Sequence, residues 1–330
     1  MLKMGNFVLS KIRGRWKALL SLLMGGAALG GIVWGLGVVY PLEATELRTR
    51  ASLWFSHVRE VQLETSSQSL HAYLKNGCNS KPGPDCVCVA LIHGLGDNAL
   101  TWKRMLEFPT GIWNSMGLAR PLLLLALDLP GSGQSALPKS QEEYRVRNQA
   151  KTVIQALRPL CNRWTVVGNS LGGWIAAWIG LEWPEGTERL VLLAPAGFKG
   201  STSGAHSLVE PTVESMKEFQ KNAYFRPRPI PEEIWLEIVR KVRGGNSRQV
   251  AEAQIEEDNL ETRFPALRAP TLMIWGKEDR IIPIGIGMQM RETRHATLWR
   301  ETPECGHLPQ KECPIPVLQG IVDMTNYGSM

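Results

Sequence analysis

The stretch WTVVGNSLGG, residues 164–173, places a serine between glycines directly after a run of apolar and β-branched residues. A G-x-S-x-G arrangement is typical of a strand that ends in a sharp turn and is followed by a helix, with the serine hydroxyl exposed on the turn. Because a hydroxyl is a poor nucleophile at neutral pH, Ser170 could attack a substrate only if a base lay beside it. The motif alone does not distinguish such a nucleophile from an ordinary loop serine.

Other residues able to do acid–base chemistry also follow short apolar runs. His93 follows CVCVALI, Asp128 follows PLLLLAL, Asp279 follows PTLMIWGKE, and His307 follows ATLWRETPECG. In an open α/β sheet, ligands bind at the carboxyl ends of the strands, where residues from several strands can meet. The sequence therefore predicts one site built from several strand ends.

The elements that would position these residues alternate between strands and helices. Six runs are almost wholly apolar and end in turn residues: CVCVALIHG, PLLLLALDLPG, RWTVVGNS, RLVLLAPAG, PTLMIWGKED and ATLWRETPECGH. Such runs are typical of parallel strands that are buried on both faces. Crossover helices are predicted for NALTWKRMLEFPTGIWNSMG, YRVRNQAKTVIQALRPLC and GGWIAAWIGLEWPE. The pattern predicts an α/β fold with a mostly parallel central sheet.

Two segments depart from this alternation. Residues 58–76 alternate between apolar and polar types, which predicts an antiparallel hairpin that turns near 65–68. Residues 198–268 contain no strong strand pattern, and PTVESMKEFQKN and PEEIWLEIVRKVRG predict helices there. An insertion that leaves the end of a strand is placed to cover a site at that end. We therefore expect a core divided into 42–197 and 269–330, with a helical lid at 198–268 between the sixth and seventh core strands.

Taken together, these motifs resemble the α/β-hydrolase superfamily, and the resemblance extends over about 61–322. In that superfamily a G-x-S-x-G turn, an HG loop and the order Ser, Asp, His recur. The resemblance implies that Ser170 is the nucleophile, that His307 is the base and later the acid, and that Asp279 orients His307. Glu278 is the alternative to Asp279, and Asp128 is expected to organise its own turn.

The same resemblance assigns supporting roles around the nucleophile. The backbone amides of Leu95 and Leu171 would hold the developing oxyanion. The loops that carry them would be shaped by motif residues, namely His93, Gly94, Gly168, Asn169 and Gly172. Neither a cofactor nor a metal is expected. No pair of C-x-x-C motifs and no histidine cluster suggests a zinc site.

The reaction class is narrowed by the nucleophile. Haloalkane dehalogenases and epoxide hydrolases of this superfamily use an aspartate, so Ser170 argues against both. LLAPAGFKGST, IWGKEDRIIP and ECGHLPQKECP look like the membrane-anchored monoacylglycerol lipases and related bacterial lipases and esterases. This similarity implies hydrolysis of lipid-like carboxylic esters. The alternatives are a C–C bond hydrolase of the ring-cleavage type, a lactonase or amidase, and a catalytically inactive binding protein.

The N-terminal region predicts attachment to a membrane. Residues 1–17 carry five Lys and Arg side chains, and no charged residue occurs between Lys17 and Glu43. About 23 apolar or small residues are enough to cross a hydrocarbon core of about 30 Å. We expect a basic cytoplasmic tail at 1–17 and a transmembrane anchor at 18–41, or alternatively a cleaved signal sequence. The catalytic domain would then be periplasmic, or secreted after cleavage.

The charge of the chain does not indicate a nucleic-acid partner. The formal net charge is +6, but five of the positive charges lie within 1–17, so the remainder is close to neutral. The expected partners are therefore a small-molecule or lipid ester substrate and the membrane, and the sequence leaves the oligomeric state open.

The chain has six cysteines: Cys78, Cys86, Cys88, Cys161, Cys305 and Cys313. An even number could pair in an oxidising compartment. Cys78 with Cys86 or Cys88 would close a short loop, and Cys305 and Cys313 stand on either side of His307. For Cys88 and Cys161 the default expectation is that both are free buried thiols.

Overall fold

The computed structural model describes residues 41–78, 83, 85–201 and 206–327. The chain divides into two units, 1–50 and 51–330, and the described strands all lie in the larger unit. The predicted basic tail and anchor lie outside the described residues, except for Pro41, at which the first described helix begins. Among the described residues, no helix combines the length and the apolar character needed to cross a bilayer.

The described strands are β1 (Arg59–Glu64), β2 (Ser69–Asn76), β3 (Val87–Ile92), β4 (Leu122–Leu127), β5 (Trp164–Asn169), β6 (Thr187–Leu193), β7 (Thr271–Gly276) and β8 (Leu298–Thr302). The described α-helices are α1 (Pro41–Phe55), α2 (Lys103–Glu107), α3 (Thr110–Ser115), α4 (Val146–Leu157), α5 (Leu171–Glu182), α6 (His206–Val209), α7 (Val213–Ala223), α8 (Glu232–Arg243), α9 (Ser247–Ala253), α10 (Ile284–Thr293), α11 (Pro309–Glu312) and α12 (Pro314–Asn326).

These strands form one eight-stranded sheet in the order β1-β2-β4-β3-β5-β6-β7-β8. β1 and β2 form the predicted antiparallel hairpin, in which the Thr65 amide donates to the Gln68 carbonyl at 3.1 Å. β2 is antiparallel to β4, and all the remaining neighbours are parallel. The predicted α/β-hydrolase fold with a mostly parallel sheet is thereby confirmed.

Both faces of the sheet are covered, which explains why its strands read as continuous apolar runs. In β3, Ala90 and Ile92 belong to one core cluster, whereas Val89 and Leu91 belong to another. Alternate side chains of a strand point to opposite faces, so each cluster lies on its own side of the sheet. Helices α4 and α5 pack into the first cluster and α12 into the second.

Residues 198–268, hereafter the insertion, leave the sheet after β6 and return to it before β7. Their helices share a small apolar cluster formed by Leu208, Met216, Trp235 and Val239. The C-terminal end of the insertion is tied to the core by Asp258, which is 1% exposed. The carboxylate of Asp258 accepts two hydrogen bonds from Arg145, at 3.0 and 2.9 Å, and its carbonyl accepts the indole N–H groups of two core tryptophans.

Three disulfides join all six cysteines: Cys78–Cys86, Cys88–Cys161 and Cys305–Cys313. The expectation of free thiols at Cys88 and Cys161 is wrong. These two residues are 73 positions apart in sequence, but β3 and β5 are neighbours in the sheet, so Cys161, shortly before β5, lies next to Cys88 in β3.

Candidate active site

The serine predicted as nucleophile lies on a strained turn. Ser170 has φ 55° and ψ −117°, a conformation that costs a non-glycine residue about 1–3 kcal/mol. A Cβ atom on Gly168 would lie 2.1 Å from the Gly172 carbonyl oxygen, and one on Gly172 would lie 2.3 Å from the Ile92 carbonyl oxygen. Only glycine therefore fits at either position. Ser170 is partly exposed, whereas Asn169 and Leu171 on either side are buried.

Asp279 and His307 form a buried pair. His307 Nδ1 donates to Asp279 Oδ2 at 2.8 Å, and the other oxygen, Oδ1, accepts from the amides of Ile281 and Ile282, both at 2.9 Å. Because Nδ1 is the donor, Nε2 of the neutral ring keeps its lone pair and can accept a proton. Glu278 instead accepts the amide of Cys305 at 2.9 Å and so holds the backbone near His307. The geometry therefore favours Asp279 over Glu278 as the partner of His307.

Asn169 connects the serine turn to His307. Its side-chain nitrogen donates to the carbonyls of Leu193, at 3.1 Å, and His307, at 3.0 Å. Among the described residues neither Ser170 Oγ nor His307 Nε2 has a hydrogen-bond partner. Hydrogen bonds between catalytic groups are often long in unliganded enzymes and tighten when substrate binds. Asn169, which was expected to form the loop, thus also holds the two candidate catalytic residues together.

The peptide between Gly94 and Leu95 has a fixed orientation. The Leu129 amide donates to His93 Nε2 at 3.0 Å, so the ring carries its proton on Nδ1, which donates to the Gly94 carbonyl at 2.8 Å. A trans peptide directs its N–H away from its carbonyl, so fixing the Gly94 oxygen also sets the direction of the Leu95 N–H. With both ring nitrogens engaged, His93 is a structural residue of this loop.

The two amides predicted to hold the oxyanion are available for a ligand. Leu171 is the first residue of α5, where backbone N–H groups have no partner within the helix. Neither the Leu95 nor the Leu171 amide donates a hydrogen bond within the part of the chain that the structure describes. Such free N–H groups can stabilise a developing negative charge.

Asp128 organises more than its own turn. Its carboxylate accepts from the amide of Ala99 at 2.7 Å, from the amide of Gln134 at 2.9 Å and from His71 Nδ1 at 2.8 Å. Burial alone would raise the pKa of the Asp128 carboxyl, but the hydrogen bonds from His71 and from the amides of Ala99 and Gln134 hold that pKa below its ordinary value. Asp128 therefore anchors the far end of the loop that carries Leu95.

Several polar residues that surround the site were not predicted from the sequence. Lys311 Nζ donates to Asp97 Oδ2 at 2.6 Å, and Gln310 Nε2 donates to Asn169 Oδ1 at 3.1 Å. Glu312 accepts the amides of Gly306, at 2.7 Å, and Phe225, at 3.0 Å. The signal available in the sequence was their position inside the HGLGDN and HLPQKEC motifs, but spacing alone did not indicate that the two motifs meet.

Comparison with known proteins identifies a family model and several similar proteins. The model of the "Alpha/beta hydrolase family" matches residues 89–319. The 2-hydroxy-6-oxononadienedioate/2-hydroxy-6-oxononatrienedioate hydrolase of Comamonas testosteroni is 25% identical over 241 residues, covering 68% of this chain and 82% of that protein. The monoacylglycerol lipase ABHD6 of Homo sapiens is 24% identical over 266 residues, covering 71% and 74%.

A solved structure is similar over nearly the whole chain. The crystal structure of a membrane phospholipase A, described as a bacterial virulence factor, superposes with a TM-score of 0.68 at 25% identity and covers 95% of this chain and 98% of that one. Because the family model spans more than half of the sequence, the chain belongs to the α/β-hydrolase family.

Proposed function

We propose that this protein is a serine hydrolase that cleaves carboxylic esters through an acyl-enzyme on Ser170. The observation that carries the proposal is the strained serine turn, which Asn169 ties to the buried His307–Asp279 pair. A backbone strain of this kind persists only where the surrounding structure enforces it, and it is concentrated at functional sites.

The proposed reaction has two halves, acylation and deacylation, and in each half His307 first accepts a proton and then donates it. Ser170 Oγ attacks the ester carbonyl carbon while His307 Nε2 takes the hydroxyl proton, and the amides of Leu95 and Leu171 hold the oxyanion. The tetrahedral intermediate collapses, and the alkoxide leaves as an alcohol with the proton from His307. A water molecule then gives a proton to His307 and attacks the acyl carbon. Collapse releases the carboxylic acid and returns the proton to Ser170, while Asp279 stabilises each transient imidazolium.

Lipid-like esters are the proposed substrates. The similar solved structure is named a membrane phospholipase A, and a similar human protein is named a monoacylglycerol lipase. A membrane anchor at 18–41 would place the site beside the bilayer, into which such esters partition. Three disulfides are consistent with a domain exported to an oxidising compartment, such as the periplasm. An alkaline phosphatase fused to the C-terminus and inactive in a bacterial host would contradict this placement.

The insertion is proposed to act as a lid over the site. The amide of His307 donates to the carbonyl of Ala223, the last residue of α7, at 2.8 Å. Glu312 binds the amide of Phe225 just beyond that helix at 3.0 Å. The end of α7 therefore contacts the segment that carries the candidate base, as a lid over this site requires.

The second candidate is cleavage of a C–C bond. A Burkholderia cepacia relative, 24% identical over 244 residues, is named a 2-hydroxy-6-oxo-6-phenylhexa-2,4-dienoate hydrolase. The Comamonas testosteroni relative is named for a 2-hydroxy-6-oxo dienedioate and the corresponding trienedioate. The residues around Ser170 do not distinguish an ester from such a substrate, because both reactions need a nucleophile, a base and an oxyanion site.

Labelling and turnover together test the proposal. A fluorophosphonate should label the wild-type protein at Ser170 and should not label Ser170→Ala. The wild type should hydrolyse p-nitrophenyl esters of graded chain length faster than it cleaves a ring-cleavage dienoate. A folded wild-type protein that is not labelled and turns over no ester would contradict the proposed function. Turnover of the dienoate without turnover of esters would favour the second candidate.

A further inference from the structure

Two loops that carry candidate catalytic groups meet through one ion pair. The oxyanion loop, residues 93–98, follows β3, and the histidine loop, residues 305–313, follows β8 and is closed by a disulfide. Asp97 lies in the first loop and Lys311 in the second, 214 positions later, and their charged groups are 2.6 Å apart. The pair thus joins the two separated parts of the hydrolase core directly beside the site.

The bonds of Asp97 connect this pair to the Leu95 amide. Asp97 Oδ2 accepts from Lys311, and Oδ1 accepts from the Asn98 amide at 2.9 Å, so the carboxylate is held on both sides. The Asp97 amide donates to the Gly94 carbonyl at 3.3 Å and closes the turn around Gly96, whose φ is +71°. Because the Gly94 carbonyl and the Leu95 N–H belong to one planar peptide, a displacement of Asp97 would rotate the Leu95 N–H.

On the other side, Lys311 is fixed relative to His307. It lies four residues after His307, on the short helix α11, within the loop closed by Cys305 and Cys313. Gln310, next to it, donates to Asn169 Oδ1 at 3.1 Å and to Thr101 Oγ1 at 3.2 Å. The Thr101 bond also joins the two parts of the core, but it is a neutral hydrogen bond and lies six positions beyond Leu95. The charged bond at Asp97 is two positions away from that residue.

The pair is partly shielded from water, and Tyr224 of the insertion lies close enough to Lys311 to act on its charge. The side chains of Asp97 and Lys311 are 22% and 32% exposed. Burial alone would lower the pKa of Lys311, but the Asp97 and Tyr224 side chains outweigh it and raise that pKa. Burial alone would raise the pKa of Asp97, and the neighbouring ammonium of Lys311 reverses this direction. Both groups therefore stay charged at neutral pH, in surroundings where water screens them less than on an open surface.

We propose that, in the serine hydrolase proposed above, Asp97 and Lys311 are a positioning pair that fixes the Leu95 oxyanion amide relative to His307. Neither side chain is assigned a contact with the reacting atoms. The pair acts through the Gly94–Leu95 peptide on one side and through the histidine loop on the other. Its loss would therefore affect the transition state, where the oxyanion forms, more than the binding of the ground-state ester.

Three variants of the full-length protein test this proposal: Lys311→Met, Asp97→Asn and the double variant. With a soluble p-nitrophenyl ester, each single variant should lower kcat by about 10- to 100-fold, because a displaced oxyanion donor loses much of its effect, while KM stays within about threefold. Labelling of Ser170 by a fluorophosphonate should slow in parallel. The double variant should be no slower than the slower single variant, since both substitutions remove the same interaction.

Lys103→Met is the matched control. Lys103 pairs with Glu107 at similar exposure, 34% and 23%, but this pair lies within a single helix, α2, and joins no loops. Lys103→Met should keep kcat within about twofold of the wild-type value, as expected for a partly exposed pair within one helix. Thermal unfolding of all the variants should confirm that each remains folded at the assay temperature.

Failure of the positioning role and failure of the proposed function give different results in these experiments. If Lys311→Met and Asp97→Asn match Lys103→Met in kcat and labelling rate, or if their effects multiply in the double variant, the positioning role is wrong. If the wild type is labelled at Ser170 but turns over no ester, the proposed ester specificity fails, and the labelling rates still test the pair. If the folded wild type is not labelled and turns over no ester, it is the proposed function that fails, and the positioning role fails with it.

Discussion

Two buried histidine–aspartate pairs lie in this protein, and their hydrogen bonds are nearly identical. Asp279 accepts from His307 Nδ1 at 2.8 Å and from two backbone amides, both at 2.9 Å. Asp128 accepts from His71 Nδ1 at 2.8 Å and from two backbone amides, at 2.7 and 2.9 Å. All four side chains are buried.

The pairs differ at the far nitrogen of the histidine. His71 Nε2 faces the side-chain nitrogen of Gln134 at 3.2 Å and Glu60 Oε2 at 3.4 Å. His307 Nε2 has no hydrogen-bond partner among the described residues and belongs to the loop that Asn169 ties to the Ser170 turn. A histidine can act as a base only through a nitrogen that is free to take a proton.

The amides bound by each carboxylate also differ in origin. Asp279 accepts from residues two and three positions after itself, so it closes its own turn. Asp128 accepts from Ala99, 29 positions earlier, and from Gln134, six positions later, so it joins separate segments. A buried histidine–aspartate pair can thus serve only to hold segments together, and catalysis requires a free nitrogen and an adjacent nucleophile as well.

The largest expected effect comes from Asp279→Asn. The amide would present a donor to Nδ1 or stabilise the wrong tautomer, so kcat for a soluble ester should fall by about 10⁴-fold. Steady-state turnover and the rate of fluorophosphonate labelling measure this loss. Glu278→Gln is the neighbouring control and should change kcat by less than about tenfold, because Glu278 bonds only to backbone near His307. Equal losses in the two variants would contradict the assignment of Asp279.

Asp128→Asn tests the other pair. An asparagine has one acceptor oxygen for donors from Ala99, Gln134 and His71, so the free energy of unfolding should fall by about 1–3 kcal/mol. kcat should fall by about tenfold, because one end of the oxyanion loop loses an anchor. Urea unfolding and steady-state kinetics of the same preparation measure both. A loss of kcat as large as that of Asp279→Asn would remove the distinction between the pairs.

The stability conferred by Asp128 should depend on pH in a defined direction. The folded protein holds the pKa of this carboxyl below its ordinary value of 3.8, so the unfolded state binds the proton more readily. The stabilisation is therefore fully present above pH 3.8 and is lost as the pH falls through the folded pKa. In urea titrations, the gap between wild type and Asp128→Asn should shrink below pH 3.8. A gap that widened on acidification would contradict the direction of the shift.

Local chemistry explains what could be predicted from the sequence. An apolar run precedes each of Ser170, Asp279 and His307. Because a parallel sheet brings the ends of its strands to one edge, the pattern predicts that these three residues lie near one another. The glycines of the serine turn are also local features, because each leaves space for backbone atoms nearby.

The contacts that could not be predicted depend on which strands are neighbours. His71 in β2 meets Asp128, the residue after β4, because β2 pairs with β4, with Ala72 opposite Leu127. Cys88 meets Cys161 because β3 lies beside β5. The approach of Asp97 to Lys311 likewise requires the ends of β3 and β8 to be placed in three dimensions. Neither residue type nor spacing along the chain contains this information.

The smallest expected effect on kcat comes from removing one of the two short disulfides, which are closely matched. Cys78–Cys86 and Cys305–Cys313 both have a sequence separation of 8. In the chain-entropy account, removing either one by paired Cys→Ala substitution should therefore lower the free energy of unfolding by a similar amount, roughly 2–3 kcal/mol. Only the second closes the histidine loop, so only Cys305→Ala with Cys313→Ala should lower kcat, by about three- to tenfold, through looser placement of His307. Urea unfolding and turnover below the unfolding transition measure the two effects separately. A similar loss of kcat in Cys78→Ala with Cys86→Ala would indicate that lower stability alone slows the enzyme, whereas unchanged kcat in both would show that Asn169 and Glu278 hold His307 without the disulfide.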